Sequence, residues 1–155
     1  MKKFKVPYTA FDLKNIPIKN KLIKTFAKVL DSGQYILGNE TKQFESEFAS
    51  YLKVKYATGI SNGTCALHLS LRVLDLKKDD EVITAPNSFI ASASSIALAG
   101  AKPVFVDVSK DLNINPELIE NAITSKTKAI MPVHLTGRPA KMPLINKIAK
   151  KYKLF

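Results

Sequence analysis

Residues 81–107 read Glu81-Val-Ile-Thr-Ala-Pro-Asn-Ser-Phe-Ile-Ala-Ser-Ala-Ser-Ser-Ile-Ala-Leu-Ala-Gly-Ala-Lys-Pro-Val-Phe-Val-Asp107. Glu81-Val82-Ile83-Thr84 is a short strand candidate, and Pro86-Asn87 breaks it. Ser88 to Ala99 reads as a helix of small residues, capped by Gly100. Pro103-Val104-Phe105-Val106 is a buried-type strand ending at Asp107. Strand, helix and strand in that order make a βαβ unit, and such a unit joins parallel strands.

The same alternation extends in both directions. Upstream, Tyr56-Ala57-Thr58-Gly59-Ile60 is short and strand-like, Ser61-Asn62-Gly63-Thr64 is turn chemistry, and Cys65 to Leu74 is a helical run. Downstream, Pro116 at the first helical position opens a helix to about Ile123. Ala129-Ile130-Met131-Pro132-Val133 is a further strand candidate, to which its proline is a mild objection. Met142 to Lys153 is a basic amphipathic helix, and Leu154-Phe155 reads as the opening of another strand. From residue 56 the chain therefore alternates strand and helix four times. The expected class is α/β, with a mostly parallel sheet flanked by helices. The sequence stops where a helix has just led into a strand, so the chain reads as a fragment.

Residues 18–55 have a different character. Leu22, Ile23, Phe26, Val29 and Leu30 have helical spacing, with Gly33 as the stop. A second helix is expected from about Glu40 to Leu52, with Phe44, Phe48, Tyr51 and Leu52 on one face. Residues 1–17 carry Pro7 and Pro17 among the aromatics Phe4, Tyr8 and Phe11, and read as an N-terminal arm.

Composition bounds the function classes. The 155 residues are 46% hydrophobic and 24% charged, which excludes a disordered or low-complexity chain. One cysteine rules out an internal disulfide. No run approaches the ~20 apolar residues of a membrane span, and no apolar segment follows the basic N-terminus. The expectation is a cytoplasmic protein without membrane contact. The net charge of +11 suggests nucleic acid, but it is almost all lysine spread along the chain. Arg72 and Arg138 are the two arginines, and no nucleic-acid motif is present, so no nucleic-acid partner is expected.

In parallel sheets, ligands bind beyond the carboxyl ends of the strands. That rule selects Ser61–Thr64, Ala85–Phe89, Asp107–Val108 and His134–Gly137. Ser61-Asn62-Gly63-Thr64 could hold an anion, through backbone N–H groups at a helix start and a glycine that permits close approach. Taken alone, its commoner reading is a capped turn. Phe89 could stack on a flat ring, or be a core residue. Asp107 is a ligand-orienting residue or a turn residue, and His134 an acid–base group or a structural one. His68 and Cys65 read as packing residues. No phosphate-binding glycine motif, metal-ligand cluster or nucleophile triad is evident.

Five stretches together resemble the N-terminal half of the DegT/DnrJ-type family of pyridoxal-phosphate enzymes, the fold-type I aminotransferases acting on nucleotide-linked keto-sugars. They are Gly33-Gln-Tyr-Ile-Leu-Gly38, Ser61-Asn-Gly-Thr-Cys-Ala-Leu-His-Leu69, Asp80-Glu-Val-Ile-Thr-Ala-Pro-Asn-Ser-Phe-Ile-Ala91, Ala99-Gly-Ala-Lys-Pro-Val-Phe-Val-Asp107 and Pro132-Val-His-Leu-Thr-Gly137. The resemblance implies that residues 56–155 are part of a pyridoxal-phosphate-binding α/β domain. It implies that Gly63 and Thr64 hold the cofactor phosphate and Phe89 stacks on the pyridine ring. It implies, with a weaker match, that Tyr35 lines the sugar-nucleotide site. The implied partners are a nucleotide-sugar, an amino-acid amino donor, and either a second copy in a homodimer or a complementing C-terminal half.

The family's acidic partner of the pyridine nitrogen and its Schiff-base lysine motif have no counterpart before Phe155. No catalytic residue is therefore expected among these 155 positions, and the chain by itself should not catalyse transamination. Two other readings stay open: a pyridoxal-phosphate-dependent sugar dehydratase of the same family, and a non-catalytic α/β binding module.

Overall fold

Val82 and Ile83 are adjacent and both are fully buried, yet they belong to two different cores. Successive strand residues point to opposite faces of a sheet. A strand buried on both faces needs a helical layer on each side, and that requirement organises residues 60–155. The structure, a computed structural model, describes residues 17–155. The arm expected at residues 1–17 lies outside the described residues except for Pro17.

The sheet has three parallel strands in the order β2-β1-β3: β1 (Glu81–Thr84), β2 (Lys102–Phe105) and β3 (Thr127–Met131). One face carries Val82 and Ala129. It packs with Leu71 of α3 (Gly63–Val73) and Ile96 of α4 (Ala91–Leu98). The other face carries Ile83 and Ile130. It packs with Ile119 of the short α5 (Pro116–Ile119) and with Ile145 and Ile148 of α6 (Met142–Tyr152). Each fully buried aliphatic side chain contributes about 1.5–3 kcal/mol relative to exposure. The α/β class with a parallel sheet flanked by helices is thus as the alternation implied.

Proline fixes two details. Pro103 lies in β2, where Lys102 and Val106 donate their N–H groups to β1 through Asp80 and Thr84. The missing N–H of Pro103 therefore falls on the outer side of this edge strand, the place where a sheet tolerates proline. Pro132 stands just after β3, so the strand runs Thr127–Met131 rather than onward to Val133. Beyond α6, the Phe155 N–H donates to the Lys128 carbonyl at 3.0 Å. The Ile130 N–H donates to the Phe155 carbonyl at 2.9 Å. This is a parallel pairing of Phe155 opposite Ala129, so the last residues do lie along β3 as a strand would.

The expected strand at Tyr56–Ile60 does not form. The segment is irregular, and Tyr56 is exposed. The Gly59 N–H is taken by the Glu45 side chain at 2.7 Å instead of by a neighbouring strand. The small-residue helix also starts later than expected. Ser88, Phe89 and Ile90 stay in the loop, and the helical residues are Ala91–Leu98.

The described residues divide into two units between Gly59 and Ile60. The first holds α1 (Lys19–Ser32) and α2 (Asn39–Leu52). Gly33 ends α1 in the left-handed conformation at φ 66°, with its N–H on the Leu30 carbonyl. Gly38 precedes α2, and a Cβ there would lie 2.6 Å from the Gln34 carbonyl oxygen, so only glycine lets the loop close. Lys28 and Glu40 form an ion pair at 2.9 Å across that loop. No residue of α1 is buried, and Leu22, Ile23, Phe26 and Leu30 all face solvent. Among the described residues, no helix is long and apolar enough to cross a membrane.

Candidate functional site

Asn62 starts α3. Its backbone is extended, and its side-chain oxygen accepts the Cys65 N–H at 2.9 Å. The Ala66 N–H goes to the Asn62 carbonyl at 3.0 Å. The two N–H groups between, those of Gly63 and Thr64, have no hydrogen-bond partner among the described residues. They open an eleven-residue helix whose aligned peptide dipoles put about half a positive charge at this end. Ser61, Asn62 and Gly63 are exposed, and Thr64 is half-buried. A Cβ at Gly63 would meet nothing within 4 Å, and its φ is not positive, so neither the fold nor the local backbone demands glycine there. The position leaves room for a ligand to approach the main chain closely.

Leu67 is one turn further along the same face of α3. It lines a cleft of about 410 Å³ with Ser88, Phe89, Ser92 and the segment from Met131 to Thr136. The cleft sits beyond the carboxyl ends of β1 and β3, where the parallel sheet directs ligands. Phe89 is 75% exposed and lines this cleft, so it is a wall of the cleft and not a core residue. Ser88 and Ser92 share a hydroxyl hydrogen bond at 2.9 Å on that wall. Behind the lining, Thr84 is fully buried and donates its hydroxyl to the Met131 carbonyl at 2.9 Å, which ties the ends of β1 and β3 together.

Among the described residues the lining contains no carboxylate, lysine or arginine, and His134 is its one titratable side chain. His134 Nδ1 accepts the Ala140 N–H at 3.0 Å. That bond leaves Nε2 as the ring nitrogen available to anything in the cleft, and gives the histidine a structural duty in its own loop. Thr136 is in the left-handed region at φ 57°, a costly conformation for a β-branched residue, and it also lines the cleft.

Two of the four strand-end segments selected from the sequence thus line the cleft, through Ser88–Phe89 and His134–Thr136, and a third, Ser61–Thr64, opens the helix that carries Leu67 to it without lining it. The fourth does neither. Asp107 turns its carboxylate onto the Val108 N–H at 2.7 Å, and Val108 lines a separate cleft with Lys110, Asp111 and Arg138. Tyr35 belongs to the other unit. It is 66% exposed, donates its hydroxyl to the Leu30 carbonyl at 3.1 Å, and lines a surface cleft with Gly33, Gln34 and Lys42. Leu67, Met131 and Val133 were not selected from the sequence. Their apolar types give no sign of a lining role, although Leu67 could have been found by counting one helical turn on from Gly63 and Thr64.

Residues 17–155 match the model of the DegT/DnrJ/EryC1/StrS aminotransferase family. The chain belongs to that family. It is 45% identical over 150 residues to the dTDP-3-amino-3,6-dideoxy-alpha-D-galactopyranose transaminase of Aneurinibacillus thermoaerophilus, a match covering 96% of this chain and 41% of the relative. DesV of S. venezuelae, solved in complex with a ketimine intermediate, superposes with a TM-score of 0.86 at 40% identity, over 88% of this chain and 37% of that one. NtdA of Bacillus subtilis, solved with bound cofactor PMP, gives a TM-score of 0.85 at 38% identity, over 87% and 31%. This family member therefore spans about two fifths of the length of the relatives it matches. Its parallel sheet with flanking helices is the corresponding part of a fold-type I aminotransferase.

Proposed function

We propose that the cleft beyond β1 and β3 is a pyridoxal-phosphate site, and that this chain supplies the cofactor-holding part of an aminotransferase acting on a nucleotide-linked keto-sugar. One observation carries the reading. The two unpartnered N–H groups of Gly63 and Thr64 begin a helix whose same face runs into a cleft walled by an exposed aromatic ring. An anion and a flat heterocycle joined in one small molecule match that pair of features. The residues present fit the group: the helix start offers donors, dipole charge and open space at Gly63, and the cleft offers Phe89.

In this reading the Gly63 and Thr64 amides and the Thr64 hydroxyl hold the phosphate. Phe89 keeps the ring in one plane. Bound there, the cofactor supplies an electron sink for amino-group chemistry. The Aneurinibacillus relative, a transaminase for a dTDP-linked amino sugar, supports a dTDP-linked sugar as the kind of acceptor, and the bound PMP of NtdA supports the cofactor. Tyr35 is read as a substrate-binding residue from its loop's likeness to the family. An amino-acid donor, a cytoplasmic setting and a homodimer or complementing C-terminal half complete the proposal.

The test is a fluorescence titration of the chain with pyridoxal phosphate. Binding should be displaced by inorganic phosphate. Phe89→Ala should weaken it about two- to tenfold, the worth of one aromatic stack. The exposed ring contributes little to the core, so the thermal midpoint should stay put. Binding unaffected by both phosphate and Phe89→Ala overturns the assignment.

A further inference from the structure

The connection between β2 and α5 lies outside the cleft, yet side-chain hydrogen bonds tie both cleft walls to it. It is a tight loop. The Ser109 N–H donates to the Asn113 carbonyl at 2.9 Å, the Leu112 N–H to the Ser109 carbonyl at 2.9 Å, and the Asn115 N–H to the Asp107 carbonyl at 2.9 Å. Val108 and Ile114 pair across it as an antiparallel bridge. Leu112 at its tip is in the left-handed region at φ 66°. Ile114 anchors it in the core at 1% exposure.

From this loop Asn113 reaches one wall. It is 2% exposed and uses both ends of its amide. Its side-chain oxygen accepts the Leu135 N–H at 3.0 Å, and its NH2 donates to the Arg138 carbonyl at 3.2 Å. Leu135 lines the cleft beside His134 and Thr136. From the other wall, Asn87 donates its NH2 to the Leu112 carbonyl at 3.0 Å, one residue before cleft-lining Ser88 and Phe89. Neither Asn87 nor Asn113 lines the cleft.

We infer that the Asp107–Asn115 loop is a brace that sets the distance between the Phe89 wall and the His134–Thr136 wall, with Asn113 as its positioning residue. The inference rests on the cofactor reading for what the cleft holds, but not for the brace itself. The chemistry calls for a side chain with one donor and one acceptor in a plane, because the two groups it meets on the 135–138 loop are an N–H and a C=O. Alanine would leave both of those groups without their partner in a part-buried place. The strained backbone at Thr136 and Leu112 fits a loop pair held by outside contacts rather than by its own preference.

Two readouts on the full 155-residue chain test it. In Asn113→Ala, amide chemical shifts should move at His134–Ala140 and also at Ser88 and Phe89, while Val82, Ile83 and Ile96 keep theirs. Pyridoxal-phosphate affinity should fall about tenfold, the equivalent of one buried hydrogen bond left unmade. Shift changes confined to residues 111–115 overturn the brace, as does unchanged affinity in a chain that binds the cofactor. If the wild-type chain binds no pyridoxal phosphate, the cofactor reading fails, and the shifts alone decide on the brace. Should Asn113→Ala not fold, Asn87→Ala, cut at the exposed end, must move the shifts of His134–Thr136; if it does not, the brace is wrong.

Discussion

At the scale of single residues, Asn62 and Gly63 are neighbours with separable duties. Asn62 caps α3 through its side chain, and loss of such a cap costs about 1 kcal/mol. Asn62→Ala should lower the unfolding free energy by about that amount, read as a lower urea midpoint at unchanged m. Gly63 has open space where a Cβ would go and no left-handed backbone to protect. Gly63→Ala should therefore leave the midpoint unchanged or slightly raised. It should nonetheless weaken pyridoxal-phosphate binding, because a methyl group would intrude on the approach to the amides. Equal loss of stability in the two variants would contradict this division. How far the residues were legible depended on what each one uses. Gly63, Thr64 and Phe89 drew attention in the sequence as a glycine turn opening a helix and an aromatic following a strand, and the family resemblance implied their cofactor roles; the structure gives the first two as a helix start with no strand before it and the third as an exposed cleft wall. Asn113 was not found, because its amide works between segments more than twenty positions apart and its identity says nothing of the partner.

At the scale of elements, the βαβ stretch was readable because burial on both faces requires an unbroken β-branched run, as in Val82-Ile83-Thr84. Tyr56–Ile60 carries only Thr58 and Ile60 of that type, broken by Ala57 and Gly59, and no strand lies beside it among the described residues, a neighbour that composition alone cannot report. Helix α5 and the turn of Glu120–Ala122 after it are tied to α6 by polar contacts. The Glu120 carboxylate receives hydrogen bonds from Lys151 at 2.7 Å and from the Tyr152 hydroxyl at 2.8 Å. The Lys151 bond first, and the Tyr152 bond second, hold the Glu120 carboxyl below the usual glutamate value. The same Glu120 bond leads in raising Lys151 above the usual lysine value. A carboxyl with a depressed folded pKa stabilises the fold above its unfolded pKa, and loses that contribution as pH falls through the lower folded value. Lys151 works in the opposite sense: its contribution is full below the unfolded lysine value and fades as pH rises through the raised one. Glu120→Gln should thus flatten the acid limb of the stability curve, read as urea midpoint against pH, and remove the alkaline decline due to Lys151. An unchanged acid limb would show that the carboxylate adds nothing to the junction of α5 and α6.

At the scale of the whole molecule, the unit of α1 and α2 presents Leu22, Ile23, Phe26, Phe44, Phe48 and Tyr51 to solvent. Phe44 stacks on Phe48 at 5.5 Å between centroids, yet both remain exposed. Apolar surface on this scale favours association. Sedimentation velocity should find concentration-dependent self-association, and Phe26→Glu with Phe48→Lys should reduce it; a monodisperse monomer at all concentrations would contradict the expectation. The outer margin of the sheet behaves differently. Pro103 interrupts the row of donors on the free side of β2, so that border makes a poor template for another chain's strand. Crowded molecules should stick by their helices and keep their native spectrum, leaving an amyloid-sensing dye dark even in a turbid sample.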